Sequence, residues 1–257
     1  MKVYCVIAHP EPHQRSFCHA VYNKAISTLK LNGHEVISTD LFKAGFASLP
    51  GLGDFEDPNP ELTMADNAKI TNPTEEILRF RSRIEWCTHL LLFTPLQWLG
   101  PSAALMAWWE RVFTEGWAYD DASRFNSGFM EGKKAMVVVT AGMDKALYGK
   151  TSLNVCVEEL MYPLTFRCFA RCGFTPLRTM TFFGVQTIDA QKRVDLLNSW
   201  GEHVAALEER ETINFNTPES NQPVGGIVEH DEQTNHKILA ELGDMEDIIE
   251  KDPYAYA

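Results

Sequence analysis

The sequence is poor in basic residues: 23 Lys and Arg stand against 35 Asp and Glu, a formal charge of −12 over 257 residues. That deficit argues against a nucleic-acid binder, because neutralising phosphates requires a basic face. It also disfavours docking to an anionic membrane surface. Long apolar runs are missing too. Residues 86–109 carry no charged side chain over 24 positions, yet Pro95, Gly100 and Pro101 interrupt them. Such breakers read as a buried strand, a loop and a helix start, so no membrane insertion is expected. The apolar run 3–8 is too short for the core of a secretion signal. No Cys-x-x-Cys pair occurs among Cys5, Cys18, Cys87, Cys156, Cys168 and Cys172. Reduced, buried thiols in a cytoplasmic protein are expected, without a disulfide framework or a metal site. Neither G-x-G-x-x-G nor G-x-x-x-x-G-K-[ST] is present, which argues against a Rossmann dinucleotide site and a P-loop.

What is there is a core-forming composition, 45% apolar and 23% charged, which argues against disorder. Residues 3–8, 35–40, 90–93, 136–140 and 177–183 read as strands, most of them apolar on both faces as buried parallel strands are. Helices are expected from Ser16 to about residue 31, closed by Asn32-Gly33, and over 74–87, 103–113 and 190–210. Another is expected over 153–171, kinked or split at Pro163. Residues 44–74, rich in Gly, Pro, Asp and Asn, read as a long loop with one short helix. Strands alternating with helices predict an α/β fold with a doubly wound, five-stranded parallel sheet.

The acidity is concentrated at one end. Residues 211–257 hold 11 acids and 2 bases, a net of −9, which leaves −3 for residues 1–210. This divides the chain into a body over 1–210 and an acidic C-terminal extension over 211–257. In the extension Ile238, Leu239, Leu242, Met245, Ile248 and Ile249 recur at helical spacing, so part of it is expected to be helical.

In open parallel sheets, ligands bind beyond the carboxyl ends of the strands. Three loops are therefore informative. The first, His9 to Cys18, offers an imidazole at a strand end and a helix N-terminus at Ser16-Phe17, where free N–H groups and the helix dipole attract phosphate. An ordinary βα turn with a Ser cap explains this loop as well, and on its own better. The second loop, Pro95-Leu96-Gln97-Trp98-Leu99-Gly100-Pro101, is rigid, uncharged and aromatic. It suits a flat heteroaromatic cofactor, or else packs into the core and hides Trp98. The third, Thr140-Ala141-Gly142-Met143, is small enough for a ligand to approach its backbone, and Tyr148 follows in either a structural or a functional role. Glu110 and Arg111 read as structural ion-pair or subunit-contact residues, and His13 and His19 as surface residues.

Together these loops are similar to the NAD(P)H:quinone reductase family of the DT-diaphorase type. The likeness also includes Trp108-Trp109-Glu110-Arg111-Val112-Phe113, Gly116-Trp117-Ala118-Tyr119, Pro163, Cys172-Gly173-Phe174, and Arg193 with Trp200. It runs from about residue 3 to residue 207. The resemblance implies a flavodoxin-like sheet of order 2-1-3-4-5 and a homodimer. It also implies bound FAD, with FMN the lesser alternative, and ping-pong hydride transfer from NADH or NADPH to a quinone or related aromatic acceptor. By position it assigns His9, Ser16, Phe17 and Cys18 to the pyrophosphate, and Pro95, Leu96, Gln97, Trp98, Leu99, Thr140, Ala141 and Gly142 to the isoalloxazine. Arg193 falls near the adenosine half, Tyr148 at the flavin's polar edge, and Tyr148 and Asn154 are the catalytic residues. Trp98, Leu99, Asn154 and a second subunit's Tyr119 line the substrate pocket. Asn154 stands where mammalian-type members have the His that works with the Tyr; Asn donates a hydrogen bond but takes up no proton near neutral pH. Leu99 and Asp121 replace aromatics, and Cys18 replaces an Asn. The alternatives are a flavin-binding regulatory or interaction protein and an FMN-dependent azo- or nitroreductase.

Overall fold

Six residues make strand β1, Lys2–Ile7, and all but the first are fully buried. It pairs in parallel with β2, Glu35–Asp40, on one side and with β3, His89–Pro95, on the other. Strand β4, Lys134–Thr140, continues the sheet beside β3. Two short strands, β5 (Thr175–Pro176) and β6 (Met180–Phe182), both pair in parallel with β4. The order is β2-β1-β3-β4-β5, as the resemblance implies. The computed structural model of the chain describes residues 1–11, 16–47 and 49–215. His13 and the apolar stripe of residues 238–249 lie outside them.

The fifth strand, expected unbroken over 177–183, is interrupted for a visible reason. The Thr179 N–H and hydroxyl donate to the two carboxylate oxygens of Glu158 at 3.0 and 2.9 Å, which draws this residue out of the ladder. Residues 211–215 lie along the same edge: Thr212 bridges Leu177 in antiparallel sense, and Phe215 packs 5.0 Å from Phe166.

Helices cover both faces. Helix α1, Phe17–Leu31, is capped by the Ser16 hydroxyl and ends at Gly33, whose φ of 77° suits a residue without Cβ. It packs with α6, Ala190–Ala205, and the buried Trp200 indole donates to the Val21 carbonyl at 2.9 Å. On the other face lie α2 (Met64–Ile70), α3 (Glu75–Trp86), α4 (Ala103–Val112) and α5 (Val157–Leu160). The helix expected over 153–171 starts only at Val157, and Pro163 splits it. Beyond the proline the chain winds as a π-helix, Pro163–Ala170. The helix expected to end at residue 210 stops at Ala205, followed by one 3₁₀ turn.

Arg111 holds the long 44–74 excursion down. Its buried guanidinium pairs with Asp54 at 2.6 Å and Glu76 at 3.2 Å, donates to the Ala47 carbonyl, and lies over the Phe46 ring. The neighbouring Glu110 is exposed and takes no part. Five of the six cysteines are buried and all six are free thiols; burial raises the pKa of the five buried ones, Cys87 to about 11 and Cys18 and Cys168 to about 12. Among the described residues no helix is long and apolar enough to cross a membrane.

His89 is a buried imidazole inside β3. Its Nδ1 meets the Thr88 hydroxyl at 2.9 Å, while Nε2 has no hydrogen bond among the described residues and lies 3.7 Å from Glu208. Burial drives its pKa down to about 4 despite that carboxylate. The unfolded group titrates near 6.5, so protons bind the unfolded state first and stability is lost as pH falls from about 6.5 to 4. His89→Leu should flatten that stretch of the profile by about 2–3 kcal/mol, read by urea unfolding at pH 7 and pH 4.5. Equal losses in both proteins would overturn this assignment.

Candidate active site

The first loop leaves β1 at its carboxyl end. His9 accepts the Glu11 N–H on Nδ1 at 3.1 Å, and its ring meets His19 edge-on at 5.6 Å. Burial, with His19 nearby, holds this imidazole below its usual range, so it is neutral at pH 7. His19 departs from the surface position expected of it. It is 3% exposed, with Nε2 3.1 Å from an Asp40 carboxylate oxygen. At the start of α1 the N–H groups of Phe17 and Cys18 have no intrahelical acceptor, and the positive end of the helix dipole lies there. The Cys18 thiol turns inward to Thr140, so this residue offers the loop its backbone and not its sulfur.

The second loop is bolted to its neighbours. The Ser102 N–H donates to the Thr94 hydroxyl and the Ser102 hydroxyl to the Ala8 carbonyl, at 2.9 and 3.1 Å. The Leu96 N–H reaches the Thr140 carbonyl at 2.8 Å. Gln97 and Gly100 exchange two backbone hydrogen bonds of 2.9 Å around Trp98 and Leu99. Both enclosed residues are left-handed, with φ of 51° and 60°, the geometry of a type I′ turn that ordinarily carries Asn-Gly. The Trp98 side chain is 101% exposed and Leu99 39%. The core-packing alternative for this loop therefore fails for Trp98: a tight two-residue turn holds a bulky indole in solvent.

The third loop follows β4. Thr140 and Ala141 are buried, and backbone bonds tie the loop to the turn after β6: Ala141 N–H to the Phe182 carbonyl, Val185 N–H to Ala141, and Gly184 N–H to Met143. Tyr148 is half-buried with its ring 5.3 Å from Phe183, and burial raises its pKa, so the phenol keeps its proton. Asn154 pairs with it through the backbone: Asn154 N–H donates to the Leu147 carbonyl at 2.9 Å, and the Asn154 carbonyl accepts from Gly149 at 3.0 Å. The Asn154 side-chain Nδ2 is buried and has no hydrogen-bond partner among the described residues. A buried donor left unmade costs about 1–3 kcal/mol, which a ligand acceptor would recover.

Arg193 lies at the start of α6 with its guanidinium 5.4 Å from the Phe17 ring centroid, close to the first loop. Its donors go to the Val185 and Ile188 carbonyls. Tyr119 is placed apart from these loops. It lines a cavity of about 310 Å³ with Phe55, Met64, Phe113 and Glu115, to which none of the three loops contributes. The Arg171 guanidinium lies 4.6 Å over its ring. Within one chain, then, the first, second and third loops converge and Tyr119 does not join them. Sequence reasoning missed the turn 183–188, which bonds to the third loop; Gly184 directly after the last strand was the available signal.

The flavodoxin-like fold family matches residues 1–204 of the chain. NAD(P)H dehydrogenase [quinone] 1 of Cavia porcellus is 27% identical over 252 residues, covering 93% of this chain and 90% of that protein. The ribosyldihydronicotinamide dehydrogenase-like protein traD of Penicillium crustosum is 29% identical over 199 residues, 72% of this chain and 74% of that one. A solved Klebsiella pneumoniae structure described as a candidate quinone reductase superimposes with a TM-score of 0.77 at 27% identity, covering 84% of this chain and 88% of its own. An azoreductase structure at 16% identity and a TM-score of 0.55 shares the fold. The sheet order, the three loops at its carboxyl end and the match over residues 1–204 agree: the chain belongs to the flavodoxin-like fold family, among relatives named NAD(P)H quinone reductases.

Proposed function

We propose that this chain reduces quinones by two electrons, taking hydride from NADH or NADPH through bound FAD in a ping-pong sequence. Its coarse class is that of its relatives, an oxidoreductase working with NAD(P)H and a flavin. The observation that carries the reading is that the segments following two adjacent strands, β3 and β4, hold a solvent-facing Trp98 on a strained turn and the unspent buried amide of Asn154. Strain and unsatisfied donors persist where a ligand uses them.

The residues present fit a flavin. When bound, the flavin supplies the hydride acceptance and donation that no side chain here can perform. The Phe17 and Cys18 N–H groups would hold a diphosphate at the positive end of α1, next to Ser16 and a neutral His9. Residues Pro95, Leu96, Gln97 and Leu99 supply backbone and apolar walls, and Trp98 a flat aromatic cover. Thr140, Ala141 and Gly142 give a close floor. Tyr148 holds its proton and donates from its hydroxyl. Asn154 donates from Nδ2 and keeps its own protons, so charge arising on the ring system is met by fixed dipoles. Arg193 borders the adenosine half beside Phe17. In this reading the active unit is a cytoplasmic homodimer. Tyr119 enters the pocket of the second copy, and the exposed Leu153, Val155 and Trp98 are the apolar surface that ligand and partner cover. Residues 1–210 are the catalytic body and residues 211–257 its extension.

The purified chain should be yellow, consume NADH or NADPH only when quinone is added, and release FAD on denaturation. A colourless protein that takes up no flavin refutes the reading; released FMN refutes the diphosphate assignment. Replacing Trp98-Leu99 by Asn-Gly should raise stability by about 1–2 kcal/mol in urea, by relieving left-handed strain, and cut quinone turnover at least about tenfold. A loss of stability would show that the indole serves the fold. Asn154→Leu should stabilise the flavin-free protein by about 1 kcal/mol while slowing turnover about tenfold, read by melting and by stopped-flow flavin reduction. Unchanged rates would remove Asn154 from the site.

A further inference from the structure

The guanidinium of Arg193 is committed to a local task. Nη2 donates to the Val185 carbonyl at 2.6 Å and Nε to the Ile188 carbonyl at 3.4 Å, and these two carbonyls bracket Gln186. The same turn is closed by Gly184, at φ 63°, whose carbonyl accepts from the Thr187 and Ile188 N–H groups. Gly184 and Val185 also donate to the third loop at 2.8 and 3.1 Å. Gln186 thus projects from a turn fixed on three sides.

Its destination is Gly142. A Cβ added there would lie 3.1 Å from the Gln186 Cδ, 3.2 Å from Nε2 and 3.3 Å from Oε1. Near-equal distances to all three atoms mean that the amide turns its face to Gly142. Glycine gives it the room. The amide edge, with one acceptor and one N–H₂ donor side by side, makes no hydrogen bond among the described residues, and the residue is exposed, so the edge is open to a ligand.

We propose that Gln186 is a specificity residue for the reductant: its amide edge pairs with the carboxamide of a dihydronicotinamide stacked against the bound flavin at the Gly142 end of the third loop, and Arg193 is the positioning residue that keeps Gln186 there. This rests on the NAD(P)H-driven reaction proposed above. The chemistry selects between the two substrates. A primary carboxamide offers the same donor and acceptor in the same spacing, so two antiparallel hydrogen bonds form. A quinone offers acceptors only and can use half of the edge.

The test uses the flavin-loaded enzyme, with NADH and with the reduced 3-acetylpyridine analogue, whose methyl ketone keeps the carbonyl and lacks the N–H₂. Comparing wild type with Gln186→Leu cancels the analogue's intrinsic reactivity. The wild type should favour NADH over the analogue about tenfold more than the variant does, about 1.4 kcal/mol in kcat/KM. Gln186→Leu should raise the KM for NADH about tenfold and leave the quinone KM unchanged. Gln186→Glu, similar in shape, loses the donor and should also weaken NADH binding. Arg193→Met should shift the NADH KM in the same direction. An active Gln186→Leu enzyme with wild-type discrimination, or one in which only the quinone KM moves, overturns this inference and leaves the proposed function standing. A flavin-loaded wild type that oxidises neither NADH nor NADPH with quinone overturns both.

Discussion

The hydrogen bond from the Leu96 N–H to the Thr140 carbonyl holds the candidate site together. It carries the β3–β4 ladder one step past the last paired residues, Pro95 and Thr140. The second and third loops therefore leave the sheet side by side instead of diverging. Each later contact follows from that step. The Trp98 turn stands over the strand boundary, Ala141 and Gly142 form a floor beside it, and the turn after β6 bonds to that floor. Ser102 adds the third side by joining the second loop to Ala8 at the end of β1. Function here is an arrangement of backbones, and few side chains are committed to it. This explains why a flavin, which brings its own chemistry, suits it.

A second constraint keeps the opposite face in order. Arg111 is buried with Asp54, and only its three-way contact with Asp54, Glu76 and the Ala47 carbonyl makes that charge tolerable. Removing one partner would strand the other in a low-dielectric interior, which typically costs about 3–5 kcal/mol. The long excursion between β2 and α3 is thus anchored by polar contacts where its own sequence has little apolar content. The cavity beside Tyr119 is roofed by this excursion, so its shape depends on the same guanidinium.

The sheet was legible because buried parallel strands leave an unmistakable trace: residues 3–8 and 136–139 are apolar throughout. The break in the fifth strand was not, since it depends on Glu158, distant in sequence from Thr179 and reachable only once α5 has packed. The helix written as 153–171 failed at its start because residues 147–154 close a turn around Tyr148 and Asn154. It changed type after Pro163, which removes a backbone donor. His19 looked like a surface residue because nothing local predicts Asp40 across the β1–β2 edge. In the site, the loops were legible from Pro, Gly and Trp. Gln186 was not: its role depends on hydrogen bonds between two turns that lie over 40 positions apart in the chain.

The proposed reduction of quinones gives the buried thiols a consequence. Quinones are soft electrophiles that add to thiolates, and a catalyst that meets them at every turnover is exposed to arylation by its own substrate. In five of the six cysteines the sulfur is enclosed and its ionisation suppressed by burial, so the thiolate that such addition needs is scarce at neutral pH. Cys156, just before α5, is the partly accessible one. The same packing that builds the core thus gives the chain chemical endurance, with a single point at which a reactive ring could leave a permanent mark.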